Sequence, residues 1–213
     1  MSGTFPTGNV RAVNFKDNAP NLVTTSLSGR RQTKSQGQQY FSFTIQTPPL
    51  TSTDLKPILG FISKQRGQFE SFQVQLPNIS TPAGSITSNT LAVNAPSNLD
   101  AGVKSIPVDG GTASASGYLK AGDMIRFLHT GADSSAGDVN NVKVYMVTAD
   151  LDLDGSGAGT LNIEPGLIDV VRNNSTVETN GVQFTVFLER GSQEYQMGVQ
   201  GLTQMEFDVR EAF

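Results

Sequence analysis

Polar and apolar residues alternate most clearly at Gln39–Thr47. There Phe41, Phe43 and Ile45 are interleaved with Ser42, Thr44 and Gln46, the period-two pattern of a half-buried strand. Pro48 and Pro49 end it, because neither can donate to a ladder. The period then changes. Leu55, Ile58, Leu59 and Ile62 fall at i, i+3, i+4 and i+7, which predicts one helix with Thr51, Ser52 or Thr53 as its cap. Asp54 suits the positive end of the helix dipole, Pro57 is expected near the first turn, and Gly67 is expected to stop the helix. Alternation returns at Phe69–Leu76 through Phe72, Val74 and Leu76, and a shorter strand is expected at Val10–Phe15.

Beyond Asn78 the texture changes to Ser, Thr, Ala, Asn and Gly, with Ile86, Leu91, Val93, Val103, Ile106 and Val108 recurring through it. Short strands are expected next at Met124–Leu128, Val142–Thr148, Leu161–Glu164 and Phe184–Leu188, separated by Gly, Asp and Asn turns. Such spacing without a helix describes a small barrel or sandwich. In the last strand, Thr203–Arg210, Met205, Phe207 and Val209 alternate with Glu206, Asp208 and Arg210; it is expected to return to the first sheet. The expected fold is therefore mainly β (α+β). Residues 1–78 and 199–213 would form a sandwich-like domain with one helix, and residues 79–198 an inserted β-rich domain. The polar residues 1–25 look like an arm that orders on a neighbour.

Composition narrows the chemistry. The net charge of −4 argues against sequence-independent nucleic-acid binding, which needs phosphates neutralised by Lys and Arg. Arg30, Arg31 and Lys34 are the one basic concentration. No run approaches the roughly 20 apolar residues of a membrane span, and no secretion signal is expected at the N-terminus. The chain has no cysteine, so thiol catalysis, disulfides and thiolate metal sites are excluded.

Few residues invite a catalytic reading. His129 is the single histidine, and no G-x-S-x-G turn accompanies it to suggest a triad. Asp150, Asp152 and Asp154, followed by Gly155, match the first half of a calcium loop. The position that should supply a bidentate glutamate is Leu161, and Glu164 comes three residues too late. A β-hairpin turn at Asp154-Gly-Ser-Gly accounts for the same residues. Gly110-Gly111 and Gly155-Ser-Gly157-Ala-Gly159 lack the following helix that a phosphate loop needs. No catalytic residue and no cofactor are expected, and no enzyme.

One resemblance adds to this. Ser26-Leu-Ser-Gly-Arg-Arg, then Tyr40-Phe-Ser-Phe-Thr-Ile-Gln-Thr-Pro-Pro, the helix, and Gln65-Arg-Gly-Gln-Phe-Glu-Ser-Phe-Gln-Val-Gln-Leu-Pro77 together resemble the phage minor tail protein M family and the distal tail proteins of long-tailed phages. Met205-Glu-Phe-Asp-Val-Arg-Glu211 is similar to their last strand. The resemblance covers about the first 77 and last dozen residues, and this chain departs from it by its long middle region. It implies a virion structural protein: a subunit of a sixfold tail-tip ring that joins the tail tube to the tip or baseplate. The implied partners are further copies of itself, the tail tube protein and tip or hub proteins, with assembly in the host cytoplasm. A head–tail connector, a capsid decoration protein and a host-carbohydrate-binding module are the alternatives. For the last, Tyr118, Tyr145 and Tyr195 are the available stacking residues.

Overall fold

A computed structural model describes residues 2–6, 8, 10–87, 89–129, 142–191 and 202–213. Among these residues the chain is mainly β, with one α-helix. It divides into two compact units, one made of residues 9–70 and 187–211, the other of residues 1–8, 71–186 and 212–213.

In the first unit, strand β1 (Ala12–Asn18) pairs antiparallel with β4 (Tyr40–Gln46), with Phe15 opposite Phe43. On the other side of β4 lies the last strand, β13 (Glu206–Glu211), with Phe207 opposite Ile45. The final strand thus returns to the first sheet, as expected, and pairs with its first firm strand. Phe41, Phe43, Ile45, Phe207 and Val209 are buried. Ser42 and Thr44, read from sequence as the solvent side of a half-buried strand, are buried too, because polar side chains of the two flanking strands reach over them. Their hydroxyls are satisfied across the ladder. Asn18 Nδ2 donates to Ser42 Oγ at 2.8 Å, and Thr44 Oγ1 donates to Asp208 Oδ1 at 2.7 Å.

Helix α1 (Ser52–Lys64) starts at the cap Thr51, whose hydroxyl accepts the Asp54 amide at 3.4 Å and donates to the Asp54 carboxylate at 2.7 Å. This reciprocal pair is a short version of the capping box. Of the four stripe residues Leu55, Ile58 and Ile62 are buried and Leu59 is half-buried. Pro57 sits in the second turn rather than the first, on the exposed side of the helix, where water can take up the carbonyl it leaves unpaired. Arg66 and Gly67 both turn left-handed and end the helix.

In the second unit β5 (Phe72–Gln75) pairs with residues 183–186 of β12 (Gln183–Leu188), with Val74 opposite Phe184. Residues 2–6 run beside β5: Thr4 bridges Gln73, the Phe5 amide donates to the Gln73 carbonyl at 2.7 Å, and Phe5 is buried. The same unit holds a closed six-stranded barrel. Its strands are β6 (Ala92–Val93), β7 (Ser105–Asp109), β8 (Met124–Leu128), β9 (Tyr145–Val147), β10 (Gly159–Glu164) and β11 (Thr176–Glu178), in the order β10-β7-β6-β11-β8-β9. Leu91, Val93, Ile106, Val108, Phe127, Tyr145, Leu161 and Ile163 fill it, so side chains occupy the interior. The barrel is the β-rich module expected from the middle of the chain.

The domain boundaries need correction. Residues 183–188, assigned from sequence to the insertion, are ladder partners of β5, which was assigned outside it. The barrel itself runs only from β6 to β11. The boundary expected at 198–199 lies outside the described residues. The arm is corrected too, since residues 2–5 hydrogen-bond along β5 through a bridge at Thr4 and residues 12–18 pair with β4.

Truncating Ile45 to Ala should cost about 2–5 kcal/mol, because the buried strand cannot collapse around the void. Thr51→Ala should cost only about 1 kcal/mol through the lost cap. Urea unfolding of the two variants checks both the values and their order.

Candidate interaction surface

The chain between β1 and β4 does not stay in the sheet. It continues as a second hairpin, β2 (Asn21–Thr25) and β3 (Arg31–Ser35), paired from Asn21↔Ser35 to Thr25↔Arg31. Every residue of both strands is exposed. At five residues and about 3.4 Å per residue, the strands reach about 17 Å before the turn is counted. The turn, Ser26–Arg30, is closed by the Ser26 amide donating to the Arg30 carbonyl at 3.0 Å, with Gly29 at φ +79°. Leu27 at its tip is completely exposed, and Leu22 and Val23 are about half exposed, at 51% and 49%. Sequence reading noticed the basic cluster here but missed the strands, because neither alternates: a ribbon with both faces in water has no face to mark.

This segment is also electrostatically distinct. Residues 18–37 carry three of the chain's 15 basic residues, Arg30, Arg31 and Lys34, and none of its 19 acidic ones. A cationic, partly apolar ribbon therefore projects from a chain whose remainder is more acidic than its net −4.

The residues singled out for chemistry are engaged in holding loops. Leu151 and Leu153 are buried between exposed Asp150, Asp152 and Asp154, so the motif is an in–out alternation beside the barrel. Each carboxylate binds a different piece of backbone. Asp150 accepts from Lys120 Nζ at 2.7 Å and from the Ala121 amide at 3.0 Å. Asp152 accepts from Ser116 Oγ and the Gly117 amide, and Asp154 from the Ser156 amide, the Ser156 hydroxyl and the Ala158 amide. The three point to separate turns, and no group of three His, Cys, Asp or Glu among the described residues could hold a metal ion. The turn centred on Asp154 does join two paired strands, β9 and β10. These hydrogen bonds hold all three carboxyls below the ordinary aspartate range, led by Lys120 for Asp150, by the Gly117 amide for Asp152 and by the Ser156 hydroxyl for Asp154.

The two glycine-rich stretches are packed on each other. The Gly111 amide donates to the Gly157 carbonyl at 3.2 Å, and a side chain at Gly157, where φ is +78°, would collide with the Gly111 carbonyl. His129 is 7% exposed at the end of β8, and its Nε2 accepts the Arg172 amide at 3.4 Å. That nitrogen faces backbone rather than a nucleophile. Tyr118 and Tyr145 are buried, which removes them as sugar platforms, and Tyr195 lies outside the described residues.

One ion pair is well shielded. Arg126 on β8 and Glu178 on β11 stand directly opposite, with Arg126 Nε donating to Glu178 Oε2 at 2.8 Å and both side chains largely buried. Burial raises the Glu178 carboxyl above its ordinary value, and the guanidinium opposes that only in part. Sequence spacing cannot show such a pair, because strand register brings it together across 52 residues.

The chain matches no known family model and no curated protein.

Two outcomes follow from the geometry. Arg126→Met should destabilise the fold by about 3–5 kcal/mol, since it strands a buried carboxylate; denaturant titration reads it. For the aspartates, the folded state releases protons more readily than the unfolded one. Their stabilisation is complete above the ordinary value of 3.8 and disappears as pH falls through the lowered folded values. Melting temperature should accordingly fall on acidification below about pH 4, less steeply in Asp154→Asn, while added calcium leaves it unchanged. A calcium-dependent rise would contradict the separate-turn account.

Proposed function

We propose that this chain is a structural subunit of a bacteriophage virion, a component of the tail-tip ring that works by assembling with copies of itself and its neighbours. The observation that carries the assembly part is the exposed β2–β3 hairpin. An isolated two-stranded hairpin is at best marginally stable in water, and its unpaired edges invite association. Burying Leu27 alone on a neighbour is worth about 1.5–3 kcal/mol. A segment of this kind, set on an otherwise well-packed chain, fits an element completed by a partner.

The placement in a phage tail rests on the resemblance of residues 26–77 and 205–211, whose quoted segments span the hairpin turn, β4, α1, β5 and β13. In this reading the ring follows from a head-to-tail contact whose rotation closes. No catalytic step is assigned, and the residues considered for one hold loops instead. The function is mechanical: to present a complementary surface to the next subunit and to the tube and hub proteins.

Excising Asn21–Ser35 and closing the gap with a short glycine turn should leave the melting temperature nearly unchanged, since no excised side chain is buried. It should weaken self-association tenfold or more, about 1.4 kcal/mol. Analytical ultracentrifugation across a concentration series checks this. A full-length chain that stays monomeric throughout would contradict the assembly reading.

A further inference from the structure

Strand β5 ends its sheet, with β12 on its inner side. Its outer side is filled from within the same unit, by residues 2–5. The Gln73 amide donates to the Gly3 carbonyl at 2.9 Å, the Phe5 amide to the Gln73 carbonyl at 2.7 Å, and the Ser2 amide to the Ser71 carbonyl at 2.8 Å. The first two are the bonds of a parallel pair centred on Thr4. Parallel pairing is slightly the weaker kind per residue, and this one has a single bridge among the described residues. One side chain anchors the segment: Phe5 is buried, whereas Gly3 and Thr4 are exposed and Ser2 is half-buried. Beneath it β5 has no guard of its own, since Phe72-Gln-Val-Gln75 carries neither charge nor proline.

We propose that residues 2–5 are a displaceable strap over a strand-addition site, and that the site takes an extended, uncharged segment of a partner protein with the pattern Gly-x-Phe. The strap itself supplies the pattern. Gly3 lies at φ +125°, a conformation that L side chains avoid, and its carbonyl is the acceptor for Gln73. Phe5 is the buried anchor, and Thr4 between them faces solvent, so that position is free to vary. Residues 1–10 carry no charge, which matches an edge that carries none. Backbone hydrogen bonds hold any added strand, and the glycine and the buried ring give the selectivity. A second copy's strap is not the ligand, because lending it would leave the lender's own site open and gain nothing over the tethered contact. Tethering keeps the strap at high effective concentration, so a free segment must compete with it and the contact is autoinhibitory. The β2–β3 hairpin belongs to the other unit and takes no part.

The probe is a synthetic peptide of residues 1–8, added to the full chain with and without Phe5→Ala. Removing the ring loosens the strap, so the Phe5→Ala chain should bind the peptide about tenfold or more tightly than wild type, read by fluorescence anisotropy. Its melting temperature should rise on binding, with circular dichroism checking the fold. The same peptide carrying Phe5→Ala or Gly3→Ala should bind about tenfold or more weakly. A folded Phe5→Ala chain that ignores the peptide overturns the site, and equal binding of all three peptides overturns its selectivity. A wild type that dimerises only with Phe5 intact makes the occupant a second copy's strap and overturns the partner protein as ligand. Hydrogen exchange of wild type decides even if Phe5→Ala fails to fold. The Phe5 and Gln73 amides, which make the strap contact, should be about tenfold or more less protected than those of Val74 and Phe184, which pair across β5 and β12. Equal protection means that the strap leaves only when the whole unit unfolds, and overturns the displaceable strap.

Discussion

Backbone amides and carbonyls must be paired, and strands that lie at an edge leave half of theirs open. The two ways this chain meets that constraint organise its structure. The barrel closes on itself through six consecutive pairings, so its strands have no open edge and its interior is sealed by apolar side chains. The β2–β3 ribbon does the opposite. It keeps one internal ladder and presents both outer edges and both faces to water. The proposed association accordingly uses the open module rather than the closed one.

The same contrast explains which features were legible in the sequence. Strands whose apolar and polar residues alternate announce themselves, and β4, β5 and β13 were found that way. The helix was legible because its stripe and its cap agree. The barrel was legible only as a class: its strands are as short as Ala92–Val93 and Tyr145–Val147, too short for a period to establish itself. The hairpin was invisible as secondary structure for the reason that makes it interesting. With no buried residue, Asn-Leu-Val-Thr-Thr and Arg-Gln-Thr-Lys-Ser read as polar loop.

Spacing alone left the three aspartates with two readings, a calcium loop and a plain turn. Asp150, Asp152 and Asp154 have the spacing of calcium ligands, yet a strand-like in–out alternation sends them all outward to separate turns rather than inward to one point. Spacing identifies a calcium loop only when the backbone curls around the ion. The domain boundary missed for a related reason. Composition changes at Asn78, but β5 before the change and β12 after the barrel are hydrogen-bonded partners, and sequence distance says nothing about that pairing.

Electron cryomicroscopy of the parent virion is the most direct test of the central claim, that this chain is a structural subunit of a phage tail tip assembled through its hairpin. The account predicts density for a closed ring of this chain at the distal end of the tail, with each β2–β3 ribbon lying on the next subunit. A particle that lacks the chain would contradict the claim, as would a ring in which the ribbons stand free in solvent.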